Sequence, residues 1–307
     1  MVRDLWVEKY RPRKVDQYVF RDEKQKNQIK AWIDEKVIPH LLLSGTQGLG
    51  KTTLAKLLFH ELEVPSGDIL ELNASDDNSV ETIRNKVTNF VGTTPFSDFR
   101  YVLLDEADYL TPNAQAVLRG LMERYATTSR FILTCNYPNK ILPALHSRCQ
   151  GFHLTELDRV DFKIRAATVL ASEDVEFDED TLDTYIRATY PDMRKCLNML
   201  QQNSSKNILY LPEENNSTTS DYHIKMVELF KNGKINEARK LICSQARPEE
   251  MEDIYRFLYQ NIELWGDEQK QEQAILIIRD GLYRHAFVAD PEINLSATLI
   301  ELARLDG

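Results

Sequence analysis

The first half of the chain alternates short apolar runs with amphipathic segments. Helical spacing of apolar residues occurs, for example, at 79–91 and 113–125. Five apolar runs have the length of buried strands, at 41–44, 69–72, 101–104, 131–134 and 151–154. Strands that alternate with helices predict an α/β domain, in which a mostly parallel sheet has helices on both faces. Ligands of such sheets bind at the carboxyl ends of the strands.

After about residue 155 the pattern becomes helical. Three helices are predicted at 158–172, 178–189 and 191–202, with Pro191 at a first helical position. The polar stretches 203–207 and 212–220 are the best linker candidate, and 221–305 again predicts helices, in about five segments. These changes predict three domains, with boundaries 1–154, 155–212 and 213–307.

Composition narrows the class of protein only slightly. The 307 residues carry a formal net charge of −10, which by itself disfavours nucleic-acid binding but leaves room for a local basic stripe. The four cysteines are widely spaced, which argues against a zinc site and a disulfide framework. The N-terminus does not resemble a signal peptide and no apolar run approaches the roughly 20 residues of a membrane span, so we expect a cytoplasmic protein.

A glycine-rich segment between the first predicted strand and the next helical pattern carries the clearest chemistry. It contains the nine residues Gly45, Thr46, Gln47, Gly48, Leu49, Gly50, Lys51, Thr52 and Thr53. Glycines at this spacing let backbone N–H groups surround the phosphates of a nucleotide. We expect Lys51 to reach the β- and γ-phosphates and the Thr52 hydroxyl to hold Mg²⁺.

Acidic residues follow the strand at 101–104. A nucleotide hydrolase needs a carboxylate at a strand end beside the phosphate loop to hold the Mg²⁺ shell, and Asp105 fits that requirement. The next acid, Glu106, is placed to act as the general base that activates water. Asp108 is expected to cap the following helix. The sequence therefore predicts an ATPase that uses ATP and Mg²⁺.

Three further polar residues are weaker candidates. Asn136 ends the strand at 131–134 and could position the attacking water, although an Asn there is usually a turn residue. Arg148 and Arg194 could stabilise transition-state charge, although a lone Arg is usually a surface charge.

Several short motifs together resemble one family. They are Trp6-Val7-Glu8-Lys9-Tyr10-Arg11-Pro12, the loop at 45–52, Asn73-Ala74-Ser75-Asp76-Asp77, Asp105-Glu106-Ala107-Asp108, Ala114-Gln115-Ala116-Val117-Leu118-Arg119 with Met122-Glu123, Thr134-Cys135-Asn136, Ser147-Arg148-Cys149 and Asp192-Met193-Arg194. The set resembles AAA+ ATPases, specifically clamp-loader subunits of the replication-factor-C and T4-like phage type. The resemblance spans roughly residues 5–200, and a phage member is the preferred source.

The resemblance implies a role for each matching residue. The adenine and ribose pocket would be lined by Val7, Tyr10, Arg11 and Pro12. Asn136 would be the first nucleotide sensor, Arg148 a finger that enters a neighbouring subunit's ATP site, and Arg194 a second sensor on a helical lid, the domain at 155–212. The domain at 213–307 would be a collar that joins about five subunits, several copies of this chain plus one different subunit, in an open spiral around primer-template DNA.

Contacts with DNA and with a sliding clamp are implied on less specific residues. The DNA candidates are Arg84, Lys86, Gln115 and Arg119, which could equally be ordinary solvated helix residues. The clamp candidates are Phe90, Pro95, Phe96 and Phe99, which could equally be core packing. Two positions depart from the family pattern. Phe20-Arg21 replaces Gly-Gln, and Asn78 replaces a basic residue thought to couple DNA to the ATP site.

The sequence as a whole predicts an ATPase subunit that opens a sliding clamp and loads it onto primer-template DNA. One alternative is another AAA+ DNA motor, such as a branch-migration helicase, which would need a winged DNA-binding domain near the C-terminus. The other is a ring subunit that binds ATP without hydrolysing it, against which intact Lys51, Asp105, Glu106 and Arg148 argue.

Overall fold

Five parallel strands form one sheet in the order β2-β3-β4-β1-β5. The computed structural model describes residues 4–76, 78–211, 222–247 and 250–305. The strands are β1 (Leu41–Gly45), β2 (Ile69–Asn73), β3 (Arg100–Asp105), β4 (Ser129–Cys135) and β5 (Gln150–Leu154). All five predicted strands are confirmed, and so is the α/β fold class.

Helices precede, separate and follow these strands. They are α1 (Trp6–Lys9), α2 (Glu23–Asp34), α3 (Lys51–Glu61), α4 (Val80–Thr82), α5 (Thr88–Val91), α6 (Pro112–Arg124), α7 (Pro143–His146), α8 (Arg159–Ser172), α9 (Glu179–Thr189), α10 (Met193–Gln202), α11 (Tyr222–Lys231), α12 (Ile235–Gln245), α13 (Met251–Gln260), α14 (Glu268–His285) and α15 (Pro291–Ala303). Short 3₁₀ turns lie at Val15–Gln17, Ser66–Asp68, Ala107–Tyr109, Pro138–Lys140 and Ile262–Trp265, and a π-helical turn, Ile83–Val87, joins α4 to α5.

Both faces of the sheet are buried, as the continuous apolar runs predict. On one face Leu42, Val102 and Leu133 belong to a core that also takes in residues of α6 and of the helical segment around the π turn. On the other face Leu43 and Ile132 are equally inaccessible to solvent. Packing on both faces therefore fixes the positions of the strand ends, where the candidate site residues lie.

The chain divides into two compact units. One comprises the described residues up to Glu173 together with Tyr190–Gln201, and the other comprises Asp174–Thr189 and the described residues from Gln202 onward. The second unit is mostly helical, and its core is formed by α11–α15 around buried residues such as Phe230, Tyr255 and Trp265. The division into domains at 1–154, 155–212 and 213–307 stays a prediction.

Two local predictions were wrong or incomplete, and a third is not tested. The helix predicted at 191–202 begins at Met193, because Asp192 caps it by accepting a hydrogen bond from the Lys195 backbone, while Pro191 lies in a turn after a cis peptide bond. The polar stretch 203–207 is part of a small antiparallel hairpin, Ser204–Ser205 with Ile208–Leu209. The rest of the linker candidate, 212–220, lies outside the described residues.

Within the parts of the chain that the structure describes, no helix has the length and apolar character needed to cross a membrane.

Candidate nucleotide site

The glycine-rich segment joins β1 to α3 at the carboxyl edge of the sheet. Gly48 and Gly50 have φ angles of +77° and +81°, values that residues with a Cβ adopt only under strain. Gly50 directly precedes α3, so the free N–H groups of the first helical turn face this loop. Such an arrangement favours an anion, and phosphate is the anion that loops of this kind bind.

Lys51 lies under this loop and is 9% exposed. Its Nζ donates to the carbonyl oxygens of Gly45 (2.8 Å) and Thr46 (2.7 Å) and to Oδ1 of Asn136 (2.8 Å). Burial lowers the pKa of Lys51, while the nearby carboxylate of Asp105 acts in the opposite direction. The predicted phosphate-binding cation and the predicted sensor amide are therefore in direct contact.

Asp105 is the last residue of β3, and its carboxylate joins two threonines. The Thr52 hydroxyl donates to it at 2.8 Å, and the Thr134 hydroxyl donates to the same carboxylate oxygen. A carboxylate and a hydroxyl oxygen at a phosphate loop are donors suited to Mg²⁺, which usually takes one or two protein carboxylates together with phosphate oxygens and water. The residues present thus fit a Mg²⁺–nucleotide complex.

Glu106, the predicted general base, adopts a left-handed backbone conformation with φ of +56°. Its backbone N–H donates to the Thr134 hydroxyl at 3.0 Å. A non-glycine residue in this region of φ/ψ space is uncommon and is found often at functional sites. Thr134 therefore contacts both acidic residues, because β4 lies between β1 and β3 in the sheet. Thr134 belongs to the motif Thr134-Cys135-Asn136, but the sequence predicted no role for it.

Asp108 does not cap the following helix, so that prediction was wrong. The cap of α6 is Thr111, whose hydroxyl accepts from the Ala114 backbone. The carboxylate of Asp108 is instead buried and accepts from the Tyr137 N–H at 3.2 Å. Asp108 thus fixes the backbone next to Asn136.

The predicted base-binding residues line one cleft beside the phosphate loop. Val7, Tyr10, Arg11 and Pro12 all contribute, and Arg194 borders the same cleft. Its other walls include Tyr18, Val19, Leu49, Thr53, Leu157, Arg165 and Leu197. Every one of these residues belongs to the first compact unit. A cleft with apolar walls next to a phosphate loop is suited to a purine base.

The N-terminal segment is hydrogen-bonded to three side chains: Arg165 on α8, Glu173 directly after α8, and Gln201 on α10. Tyr10 Oη donates to Glu173 at 2.7 Å, and Lys9 Nζ pairs with the same carboxylate at 2.6 Å. Arg165 donates to the Tyr10 carbonyl at 2.6 Å, and Gln201 accepts from the backbone N–H of Trp6 at 3.0 Å. These anchors were missed, because their partners lie more than 150 positions away in the sequence.

Asp192 lies directly against Gly48. A Cβ placed on Gly48 would stand 1.9 Å from Oδ1 of Asp192. Only glycine fits at this point. Because Gly48 has no side chain, the start of α10, which carries Arg194, can lie directly beside the phosphate loop.

Arg148 follows α7, and its partners within the chain lie outside the phosphate loop. Its guanidinium donates to the Ala144 carbonyl at 2.7 Å and pairs with Glu123 on α6. It therefore contacts none of the loop residues of its own chain that are described above.

The four predicted DNA contacts differ in their exposure. Arg84, Lys86 and Arg119 are exposed on helical segments. Gln115 is only 2% exposed, and its amide donates to the Leu110 and Lys140 carbonyls and accepts from the Leu142 N–H. We therefore withdraw Gln115 as a DNA contact, since these bonds engage it in holding the segment that follows β4. Of the predicted clamp contacts, Phe96 is 80% exposed, whereas Phe90, Pro95 and Phe99 are half-buried.

Comparison with known proteins identifies the family. Residues 41–157 match the model for the ATPase family associated with various cellular activities (AAA). The replication factor C small subunit of Methanococcus vannielii is 36% identical over 98% of this chain and 99% of that protein, and that of Sulfurisphaera tokodaii is 44% identical over 65% of this chain and 62% of that protein.

A solved structure shares the fold. The RuvB Holliday junction branch migration motor of Thermotoga maritima matches with a TM-score of 0.52 and 19% identity, over 63% of this chain and 64% of that one, slightly less than two thirds of its length. That likeness concerns the fold alone. The similarity to the Methanococcus protein extends over almost the whole of both sequences, and the chain belongs to the replication factor C small-subunit family.

Proposed function

We propose that this protein is the ATP-hydrolysing subunit of a clamp loader, which uses ATP to open a sliding clamp and to load it onto primer-template DNA. The observation that carries the proposal is the convergence of Lys51, Thr52, Asp105 and Asn136 at one edge of the sheet, beside a cleft suited to a purine. The family supplies the context, because its members are named for a replication factor.

Each side chain has a distinct task in this proposal. The loop amides and Lys51 would bind the phosphates of ATP, and Thr52 and Asp105 would hold Mg²⁺, which would supply positive charge to the phosphates. Glu106 accepts a proton from the attacking water, and Asn136 orients that water or contacts the γ-phosphate. Val7, Tyr10, Arg11 and Pro12 hold the base and ribose, and Arg194 responds to the nucleotide from the start of α10.

Arg148 completes the site of a neighbouring subunit. Within its own chain its guanidinium pairs with Glu123 and donates to the Ala144 carbonyl, and it contacts none of the phosphate-loop residues described above. An arginine supplied in trans stabilises charge on the transferring phosphoryl group. A trans role requires a neighbouring subunit, and the family resemblance implies an assembly of about five subunits, several of them copies of this chain plus one different subunit, joined through the helical region at 213–307.

DNA contacts are assigned to Arg84, Lys86 and Arg119, whose exposed charges suit sequence-independent binding of phosphates. Asn78 stands where the family pattern has a basic residue thought to couple DNA to the ATP site, so this coupling is not part of the proposal. The protein acts in the cytoplasm. A phage source remains a sequence-based prediction, which the archaeal relatives named above do not support.

The alternatives are less well supported. A branch-migration helicase would need a winged domain near the C-terminus, whereas the described residues beyond 221 form only helices and turns. A subunit that binds ATP without turnover would have no need of Glu106 as a general base or of Arg148 as a finger, and this chain retains both.

Steady-state ATP hydrolysis by the assembled complex tests the proposal. It is measured with and without primer-template DNA and the sliding clamp, and a Glu106→Gln complex serves as control. We expect strong stimulation that requires both ligands and disappears in the control. Stimulation by DNA that is indifferent to the clamp would support a helicase-like motor, and absence of turnover would support the structural subunit.

A further inference from the structure

A tyrosine of the N-terminal segment reaches the phosphate loop. Tyr18 lies directly after the 3₁₀ turn Val15–Gln17 and is 7% exposed. Its hydroxyl donates to the Leu49 carbonyl oxygen at 3.1 Å and lies 3.5 Å from the Gly50 carbonyl oxygen. Leu49 and Gly50 are the two loop residues that directly precede Lys51, the first residue of α3. A side chain from outside the loop thus contacts the part of the loop that leads into the helix.

The aromatic ring of Tyr18 covers the same point of the loop. A Cβ placed on Gly50 would stand 3.1 Å from Cε2 and 3.2 Å from the hydroxyl oxygen of Tyr18, so the edge of the ring lies against the glycine. The φ angle of Gly50 is +81°, and its carbonyl accepts the N–H of Leu54 as α3 begins. The contact therefore falls where the loop turns into the helix.

The segment 15–20, which carries Tyr18, is itself held at two points. The backbone N–H of Val15 donates at 2.9 Å to the carboxylate of Glu61, the last residue of α3. The ring centroid of Phe20 lies 4.7 Å from that of Tyr18, and Phe20 is 3% exposed. Phe20 stands where the family pattern has glycine, so in this chain a buried ring packs against Tyr18 at that position.

The hydrogen bond to the Leu49 carbonyl sets the direction of the next amide. In a planar trans peptide the C=O and the N–H of the following residue point in opposite directions. A hydroxyl that holds the Leu49 oxygen therefore turns the Gly50 N–H away from Tyr18. Burial raises the pKa of Tyr18 above its ordinary value, so the hydroxyl keeps its proton and remains a donor. Loops of this kind bind phosphate through such amides, and the direction of each N–H decides whether it can contribute.

Tyr18 also forms part of the cleft suited to a purine base. It lines that cleft together with Val7, Tyr10 and Pro12, and Leu49 lines it as well. All of these residues belong to the first compact unit. Tyr18 therefore joins the base-binding segment to the phosphate loop through one side chain.

We propose that Tyr18 is a positioning residue of the nucleotide site, whose hydroxyl holds the Leu49 carbonyl and thereby directs the Gly50 amide at the phosphates. The inference rests on the proposed function only in taking ATP as the ligand of the loop. An amide that already has its direction needs no reordering when phosphates bind, and this gain is equal in the ground state and the transition state. Loss of the hydroxyl should therefore weaken phosphate binding without slowing the chemical step.

Tyr18→Phe removes the hydroxyl and keeps the ring on the wall of the cleft. We expect ADP and inorganic tripolyphosphate to bind the full-length chain about five- to tenfold more weakly, the effect of one hydrogen bond. Displacement of a fluorescent ADP analogue measures both ligands. In ATP hydrolysis by the assembled complex, KM should rise by the same factor while kcat changes less than about twofold. Amide hydrogen exchange at Gly50 should become faster.

Tyr185→Phe is the matched control. Tyr185 is fully buried and its hydroxyl donates to the Tyr210 carbonyl at 2.6 Å, but it is not among the described residues that line the nucleotide cleft. The same chemical change should therefore leave ADP affinity and KM unaltered. A merely structural loss would lower kcat at unchanged KM in either variant, because it reduces the fraction of active protein.

The outcomes separate this inference from the proposed function. Normal ADP affinity and normal KM in Tyr18→Phe would overturn the positioning role and leave ATP hydrolysis and clamp loading intact. Weaker ADP binding with normal tripolyphosphate binding would also overturn it, because the hydroxyl would then act on the base. If the unmodified complex binds ADP but its hydrolysis does not respond to DNA and the clamp, clamp loading fails, while weaker ADP and tripolyphosphate binding by Tyr18→Phe would still support the positioning role. An unmodified chain that binds no nucleotide would overturn both.

Discussion

The Lys51 ammonium donates a 2.8 Å hydrogen bond to the side-chain oxygen of Asn136. The two residues are 85 positions apart in the sequence, but β1 and β4 are adjacent and parallel, so both strands deliver their next residues to the same edge of the sheet. The phosphate-binding cation and the neutral amide are thereby coupled, because a ligand that draws Lys51 away from Asn136 frees the amide oxygen for another partner.

This coupling predicts the effect of Asn136→Ala. The variant should bind ATP nearly normally, because the loop amides and Lys51 remain, but it should hydrolyse ATP about 10- to 100-fold more slowly, since the amide acts mainly in the transition state. Single-turnover hydrolysis and calorimetric ATP binding separate the two effects. Lys51→Ala is the contrasting variant, in which binding itself should fail. Loss of binding in Asn136→Ala would contradict a sensor role.

Thr134→Val removes one hydroxyl while nearly preserving shape. That hydroxyl donates to Asp105 and accepts from the Glu106 backbone, so its loss frees both acidic residues. We expect kcat to fall about tenfold or more, with little change in nucleotide affinity. The free energy of unfolding should fall only by the cost of one buried hydrogen bond, about 1 kcal/mol. Thr134→Ser, which keeps the hydroxyl, should restore most of the rate.

Arg148→Ala tests catalysis between subunits. ATP binding should persist in the assembled complex while hydrolysis falls by about 10³-fold, the effect expected of an arginine supplied in trans. Mixing this variant with Lys51→Ala chains should recover part of the turnover, because an intact Arg148 can then face an intact loop. Glu123→Ala, which removes the partner of Arg148 in its own chain, is the control and should stay active. Normal turnover by Arg148→Ala would refute the trans role.

His40 predicts a pH dependence of stability. Burial, with a smaller contribution from Arg130, lowers its pKa from 6.5 to about 4, and its Nδ1 accepts from the Phe131 N–H in the neutral form. The unfolded chain takes up a proton below pH 6.5, whereas the folded protein does so only near pH 4. The contribution of neutral His40 to stability is therefore fully present above pH 6.5 and is lost as the pH falls from 6.5 to 4, a change of roughly 3 kcal/mol at most. Urea unfolding at several pH values should show this decrease, and His40→Gln should flatten it.

The close approach of Gly48 and Asp192 predicts a rescue experiment. Gly48→Ala places a methyl group against the Asp192 carboxylate and strains a positive φ, so ATP affinity and melting temperature should both fall. Adding Asp192→Ala should recover part of the loss by removing the clash, while the backbone strain, about 1 to 2 kcal/mol, remains. If the two changes are merely additive in denaturation and binding assays, the residues are not in contact in solution.

Much of the site was predictable because it depends on local chemistry and on one topological rule. The loop at 45–52 specifies its own conformation through its glycines, and buried parallel strands end at a common edge. Asp105 and Asn136 were therefore expected near Lys51, and in the structure Asn136 accepts from Lys51 while Asp105 accepts from the adjacent Thr52.

The remaining features depend on contacts between distant positions. Gln115 lies on a helix that the pattern located well, but only the fold turns it inward to bind the Lys140 and Leu142 backbone. Asp68 and Arg100 are ordinary charged residues in sequence and become an ion pair only when β2 and β3 align. Pro191 favours a helix start on average, yet the neighbouring Asp192 offers the better cap.

The first compact unit has a further consequence because it is discontinuous. It runs to Glu173 and resumes for Tyr190–Gln201, and the second piece carries Asp192 and Arg194. A chain cut after Glu173 would lose one wall of the nucleotide cleft, and a chain that extends through Gln201 must also carry α9, which belongs to the other unit. A chimera that exchanges the whole first unit between relatives therefore needs three internal junctions, after Glu173, before Tyr190 and after Gln201, and truncation at a single point does not yield the complete unit.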